Sequence, residues 1–173
     1  LSRAHEEQRL AAGRATLTRF YEVEERRRDM PSYIEKDFTF MLENNRVQGR
    51  WDRIDMNDDQ VRIIDYKSSE VRDQKEANKK TKESLQLAIY AMAYKERFGR
   101  LPDEVELRFL ESDLAGNAVL TEKDLEKTRE KIREAAAGIR ARDYTAQPTY
   151  LACQYCAYRE ICPKTAYGSE SSI

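Results

Sequence analysis

The sequence predicts an α/β domain with a central mixed sheet flanked by helices, in the order αβββαβα. Three observations carry that prediction. The apolar period changes from 3.6 to 2 after Met30-Pro31, turn residues cut the period-2 stretch into three runs, and the helical period returns after Ser84 with one more alternating run beyond it. A chain of 173 residues suits a single domain with its own core, and residues 1–30, 31–142 and 143–173 read as an N-terminal helix, the body of the fold and a cysteine-bearing segment.

From Arg3 to Arg28 the chain is rich in Ala, Glu, Arg and Leu, with Leu10, Leu17, Phe20 and Tyr21 near helical spacing. The residue before a proline is pushed out of the helical region, so Met30-Pro31 ends this helix. Ile34, Phe38, Phe40 and Leu42 then alternate with polar neighbours in a first strand. Glu43-Asn44-Asn45-Arg46 turns, Val47 to Met56 is a second extended run, Asn57-Asp58-Asp59 turns again, and Val61 to Lys67 is a third. A lysine-rich connection from Glu70 to Lys82 leads to a helix from Ser84 to Phe98, stopped by Gly99 with Pro102 just beyond. Val105, Leu107 and Phe109 alternate as a fourth strand, running to Leu110. Thr121, with Asp124 three residues later, caps an amphipathic helix through Leu125, Ile132, Ala136 and Ile139. Gly168 to Ile173 is the one low-complexity tail.

Composition narrows the function classes. The 40% hydrophobic content excludes global disorder despite 36% charged residues. No apolar run approaches the roughly 20 residues that span a bilayer, which points to a cytoplasmic protein with no membrane partner. With 31 basic against 32 acidic side chains, any nucleic-acid site has to be local. The three cysteines all fall between Cys153 and Cys162, a clustering that suits a metal or a cluster better than a disulfide framework. The chain opens on Leu1 and reads as a piece of a longer protein.

Two short patterns carry chemistry: Gly49-Arg50-Trp51-Asp52 and Ile63-Ile64-Asp65-Tyr66-Lys67. Side chains two apart on a strand share a face, so Asp65 and Lys67 project side by side, and Asp52 can come opposite them across the hairpin. Burying like-charged carboxylates costs several kcal/mol on the order of an unpaired buried charge unless a cation is held there. Two aspartates and a backbone carbonyl, that of Tyr66, are hard oxygen donors that suit Mg²⁺ or Mn²⁺. The plainer reading pairs Asp52 with Arg50 or Arg53 and Asp65 with Lys67 on a solvated sheet edge. The two patterns alone leave both readings open.

Four blocks in order extend the pattern: Gly49-Arg50-Trp51-Asp52-Arg53-Ile54-Asp55, Ile64-Asp65-Tyr66-Lys67-Ser68-Ser69, Leu85-Gln86-Leu87-Ala88-Ile89-Tyr90, and Cys153-x2-Cys156-x5-Cys162-Pro163. On these the chain, from about Tyr33 to Pro163, resembles the PD-(D/E)XK nucleases in their RecB-like branch, the nuclease domains fused to UvrD-like helicases or found in helicase-nuclease subunits such as AddB. The resemblance implies a restriction-endonuclease-like core and a metal-dependent deoxyribonuclease that works with a DNA helicase in repair or recombination. By it Asp52 and Asp65 are the metal-binding acids, Lys67 the catalytic lysine, and Gln86 with Tyr90 the Q-x3-Y pair on one helix face. Glu35 falls where the branch often carries a further acid, and reads either as a third ligand or as an exposed strand residue. The resemblance also implies a [4Fe-4S] cluster on Cys153, Cys156 and Cys162 with a fourth cysteine upstream. A zinc site completed by His5, the only histidine, and three redox-silent thiols are the alternatives; the branch's metal-binding histidine sits in an apolar helix unlike the surroundings of His5.

Between Lys67 and Lys82, Lys67, Arg72, Lys75, Lys79, Lys80 and Lys82 stand against three acids, a basic stretch that could hold DNA phosphates without reading sequence. The chain contains no Walker A motif. The competing functions are a catalytically silent DNA-binding or scaffold module, and a zinc-ribbon interaction module that would leave the Asp-Lys pattern unexplained.

Overall fold

The computed structural model describes residues 2–27, 30–57 and 59–167. Arg28, Asp58 and the tail from residue 168 onward, which the sequence reading assigned to a helix end, a turn and a low-complexity segment, lie outside those residues. The elements are α1 (Arg3–Arg27), β1 (Tyr33–Leu42), β2 (Asn45–Asn57), β3 (Gln60–Lys67), α2 (Gln74–Lys82), α3 (Leu85–Phe98), β4 (Glu104–Phe109), β5 (Leu114–Ala118), α4 (Glu122–Ala141) and α5 (Tyr150–Gln154). Two compact units divide between Arg133 and Glu134, within α4. The first holds the sheet, α1, α2 and α3; the second holds α5 and the cysteines.

The five strands lie in chain order, β1-β2-β3-β4-β5. All neighbours are antiparallel except β3 and β4, which run parallel from Arg62↔Glu104 to Lys67↔Phe109, so the sheet is mixed as expected. A parallel pair needs a long crossover, and α2 with α3 supplies it. The expected order αβββαβα lacked α2, β5 and α5. The connection from Glu70 to Lys82 is largely α2, hidden from hydrophobic periodicity because it buries only Ala77 and Thr81, four residues apart on one face. Strand β5, Leu-Ala-Gly-Asn-Ala, has poor strand formers and is held instead by β4 and by close packing on α2. A Cβ at Gly116 would stand 2.2 Å from the Ala77 carbonyl oxygen, so only glycine allows that approach.

Helix α3 is buried nearly all round, through Leu87, Ala88, Tyr90, Ala91, Met92, Ala93 and Tyr94. Ser84 caps its start by accepting the Leu87 N–H, and Gly99, at φ 78°, closes its end by donating to the Lys95 carbonyl. Thr121 and Asp124 form the expected cap of α4, the Thr121 N–H donating to Asp124 Oδ2 at 2.9 Å. Leu125 is buried beyond it, whereas Ile139, expected on the same apolar stripe, is exposed. Along α1, Leu10, Leu17 and Tyr21 are likewise exposed; the helix meets the sheet through Phe20, edge-on to Tyr66, and through Glu24. Thus α1 covers one face of the sheet, and α2 with α3 the other.

Candidate active site

Strands β2 and β3 pair from Asn57↔Gln60 back to Arg53↔Ile64 and then separate. Beyond that point β1 and β2 continue together, while Asp65, Tyr66 and Lys67 pair only with β4. Asp52 and Asp65 are the next residues on the two sides of this fork. The Tyr66 N–H, which has no strand partner on that side, donates to Asp52 Oδ2 at 3.1 Å. A residue's N–H and C=O point the same way from a strand, so the Tyr66 carbonyl also faces the fork.

The fork coincides with a break in alternation. Trp51 and Arg53, two apart, should share a face, yet the Trp51 Nε1–H donates to the Tyr90 carbonyl on α3 at 3.1 Å whereas Arg53 pairs with Glu24 on α1. On β1 the same reversal lies between Tyr33, which meets Phe98, and Phe38, which meets Tyr90. The ladder pairs Ile34↔Arg53 and Lys36↔Trp51 but skips Glu35 and Asp52, and Glu35 has φ 48°. Each strand therefore releases one acidic residue from the ladder at the same level. A β-branched or bulky apolar residue would resist the left-handed backbone at Glu35.

Asp65 is 1% exposed. Lys67 Nζ stands 2.6 Å from Asp65 Oδ2 as an ion pair, although that buried oxygen receives no well-directed hydrogen bond. Gln86 locks the group: its Oε1 accepts from Lys67 Nζ at 2.7 Å, and its Nε2 donates to Asp65 Oδ1 at 2.7 Å and to the Tyr90 hydroxyl at 2.9 Å. Burial pushes the Asp65 carboxyl above the usual carboxylate range and the Asp52 charge adds to this, while Lys67 opposes it. Burial also raises the Tyr90 phenol, with Asp65, Asp52 and Glu35 acting in the same direction and Gln86 against. Asp52, Asp65, Lys67, Gln86 and Tyr90 thus converge; strand spacing predicted this for Asp52, Asp65 and Lys67, and the resemblance brought in Gln86 and Tyr90. The pairing of Asp52 with Arg50 or Arg53 does not form: Arg50 binds Asp37 at 2.6 Å and Glu35 at 3.8 Å, and Arg53 binds Asp55 at 2.7 Å together with Glu24. Glu35 is exposed and engaged with Arg50, and among the described residues no three His, Cys, Asp or Glu side chains stand together for one metal ion.

A sequence model of the PD-(D/E)XK nuclease superfamily matches residues 2–163. The chain belongs to that superfamily. No curated protein matches it. Asp52 and Asp65-Tyr66-Lys67, on which the resemblance to this superfamily rests, meet at the fork.

The basic stretch that follows Lys67 lies on α2 and the turn before it. Arg72 and Lys80 both pair with Glu76, at 2.9 and 3.2 Å, and Lys82 pairs with Asp124 at 2.9 Å, so three of its cations are already matched. Lys75 and Lys79 enter no ion pair among the described residues. In the second unit Cys153 is buried, its Sγ accepting the Ala166 N–H at 3.4 Å, Cys162 is half-buried and Cys156 is exposed. His5 is an exposed residue of α1. Sequence reasoning missed Arg53 and Asp55, both buried on the α1 face; the signal was their i, i+2 placement, which in a strand puts opposite charges side by side.

Among the described residues no helix is long and apolar enough to cross a membrane.

Proposed function

We propose that this chain is a RecB-like nuclease domain, a Mg²⁺- or Mn²⁺-dependent deoxyribonuclease that hydrolyses phosphodiester bonds in DNA delivered by a helicase during repair or recombination. The observation that carries the reading is the linked Asp65–Lys67–Gln86–Tyr90 group with Asp52 across the fork. The donors fit a hard cation: Asp65 Oδ2 is buried and faces only the partly exposed Lys67 ammonium among the described residues, and Asp52, Asp65 and the Tyr66 carbonyl are all oxygens. Those three groups would hold the ion, with Glu35 available if it leaves Arg50. A bound divalent cation supplies Lewis-acid polarisation of the phosphate and a lowered pKa for a water molecule.

The chain's own residues do the rest. Gln86 fixes the direction of the Lys67 ammonium, which donates toward charge that builds at the reacting phosphate. Because Gln86 gives its oxygen to Lys67 and its nitrogen to Asp65, its amide has one orientation, and the lysine is positioned before substrate arrives. Tyr90 holds the other side of that amide. Lys75 and Lys79, with Arg72, Lys80 and Lys82 after exchange of their acidic partners, would neutralise phosphates along the strand being cut. The experiment is cleavage of labelled DNA with a chelator and then with added Mg²⁺ or Mn²⁺. The expected result is no product with chelator and full recovery on adding either ion; cleavage that persists in chelator would overturn the reading.

Three thiols do not complete a four-thiolate centre, so the residues present do not by themselves fit a [4Fe-4S] cluster. Within the proposed branch Cys153, Cys156 and Cys162 are three of its ligands and need a fourth from beyond these residues. The 173-residue chain should purify colourless, as an absorption spectrum will check; visible iron-sulfur absorbance would mean that the ligand count is wrong.

A further inference from the structure

The sheet face under α1 carries an unbroken alternation of charge. Asp55 pairs with Arg53, Arg53 with Glu24, Glu24 with Arg108, and Arg108 with Glu106. Glu106 lies 3.7 Å from Arg62, which binds Glu104 at 2.7 Å. Every member except Glu24 comes from the sheet. Glu24 spans β3 from above, one carboxylate oxygen on Arg53 of β2 and the other on Arg108 of β4.

That span matters because of what adjoins it. Arg53, whose side chain is 8% exposed, is the residue immediately after Asp52, and it also reaches the Tyr66 hydroxyl at 3.5 Å. Tyr66 in turn donates its N–H to Asp52. Asp52 is therefore set between two anchors on opposite faces, Trp51 tied to α3 and Arg53 tied to α1, and the reversal of faces between them is what turns its carboxylate into the fork. The α3 anchor is a packed indole. The α1 anchor is a charge pair, Glu24 on the guanidinium that also binds Asp55.

We infer that Glu24 is a positioning residue: through Arg53 and Tyr66 it fixes the aim of Asp52 and so the affinity of the site for its divalent cation. This rests on the nuclease reading above. It gives α1, which buries no residue of its own, a function that its packing does not explain.

Mn²⁺ binding to the full chain by calorimetric titration tests it, alongside cleavage measured as a function of Mn²⁺. Partners that orient metal ligands typically change metal affinity about 10- to 100-fold when removed. Glu24→Gln, which keeps the shape and loses the charge, should weaken Mn²⁺ binding about tenfold and shift half-maximal cleavage to correspondingly higher Mn²⁺, with turnover restored at saturation. Glu24→Ala should do the same or more; if it does not fold, the isosteric variant decides. Glu104→Gln, which loosens the opposite end of the same charge chain, should leave Mn²⁺ affinity at the wild-type value. A Glu24→Gln protein that melts earlier but binds Mn²⁺ as wild type does would overturn the inference and leave the nuclease reading intact. A wild-type chain that neither binds Mn²⁺ nor cuts DNA would end both.

Discussion

Asp65→Asn is expected to lower DNA cleavage by about a thousandfold, the upper range for losing one preorganised electrostatic contact at a reacting centre, while the protein stays folded. The carboxylate has Lys67 on one oxygen and Gln86 on the other, and it feels the Asp52 charge across the fork. Asparagine keeps the volume and can still bond Gln86, so packing survives while the charge is lost. Stability should not suffer. The Asp65 pKa is raised in the folded state, first by burial, so stability is lost as pH rises from the unfolded carboxyl pKa through the folded one, the buried charge being what folding disfavours. Removing the charge removes the cost, and Lys67, one-third exposed, can return its ammonium to water. Gel-based cleavage and a metal-free melting curve check both parts; a variant that cuts at the wild-type rate would discard the mechanism.

Trp51→Ala is expected to destabilise the fold by about 3–5 kcal/mol, the range for truncating a large buried aromatic. Trp51 is 1% exposed, its ring lies 4.7 Å from that of Phe38, and its Nε1–H satisfies the Tyr90 carbonyl. The substitution opens a cavity between β2 and α3 and removes the indole N–H that this carbonyl accepts beside its helical hydrogen bond. The same contact ties the Asp52 strand to the helix bearing Gln86 and Tyr90, so residual activity should fall with stability. Urea denaturation gives the number; a loss below about 1 kcal/mol, typical of an ordinary surface change, would show that the indole is not what joins the two elements.

The sheet was legible in the sequence where one face is apolar and the other polar: β4 and the Phe38 to Leu42 part of β1 follow their alternation, whereas Ile34, expected on the same apolar face but lying before the reversal at Glu35, is exposed. It was not legible at β2, where Trp51 and Arg53 face opposite ways, because the break is imposed by contacts to two different helices and leaves no local mark in Gly49-Arg50-Trp51-Asp52. Nothing in the sequence marked Glu106 and Arg108 as buried, for the same reason that α2 read as a lysine-rich connection: burial of charge by pairing has no hydrophobic period. Leu10 and Leu17 erred the other way, since helical spacing says that a face is apolar and not that anything covers it. The candidate site was legible because it needs few residues at fixed strand spacing. The helix partner of Asp65 and Lys67 was legible from the Gln86–Tyr90 pair and the resemblance, whereas the role of Glu24 depends on a helix crossing the sheet from 29 residues away in sequence.

The separation of β2 from β3 creates, in the middle of the sheet, the kind of unpaired backbone that proteins otherwise confine to the outermost strand. Such a row of free N–H and C=O groups is a template for any passing β-segment, and exposed edges are normally blunted by charge, by irregular backbone or by cover. Here all three devices are present at one level: the Asp52 carboxylate occupies the Tyr66 N–H, the Glu35 backbone leaves the ladder, and α3 closes over Trp51 and Asp65. An incoming strand would have to displace a carboxylate and bury its own peptide groups against a second one, so the opening rejects polypeptide. The features that keep this internal edge from aggregating are the same ones to which the proposed function assigns a small cation.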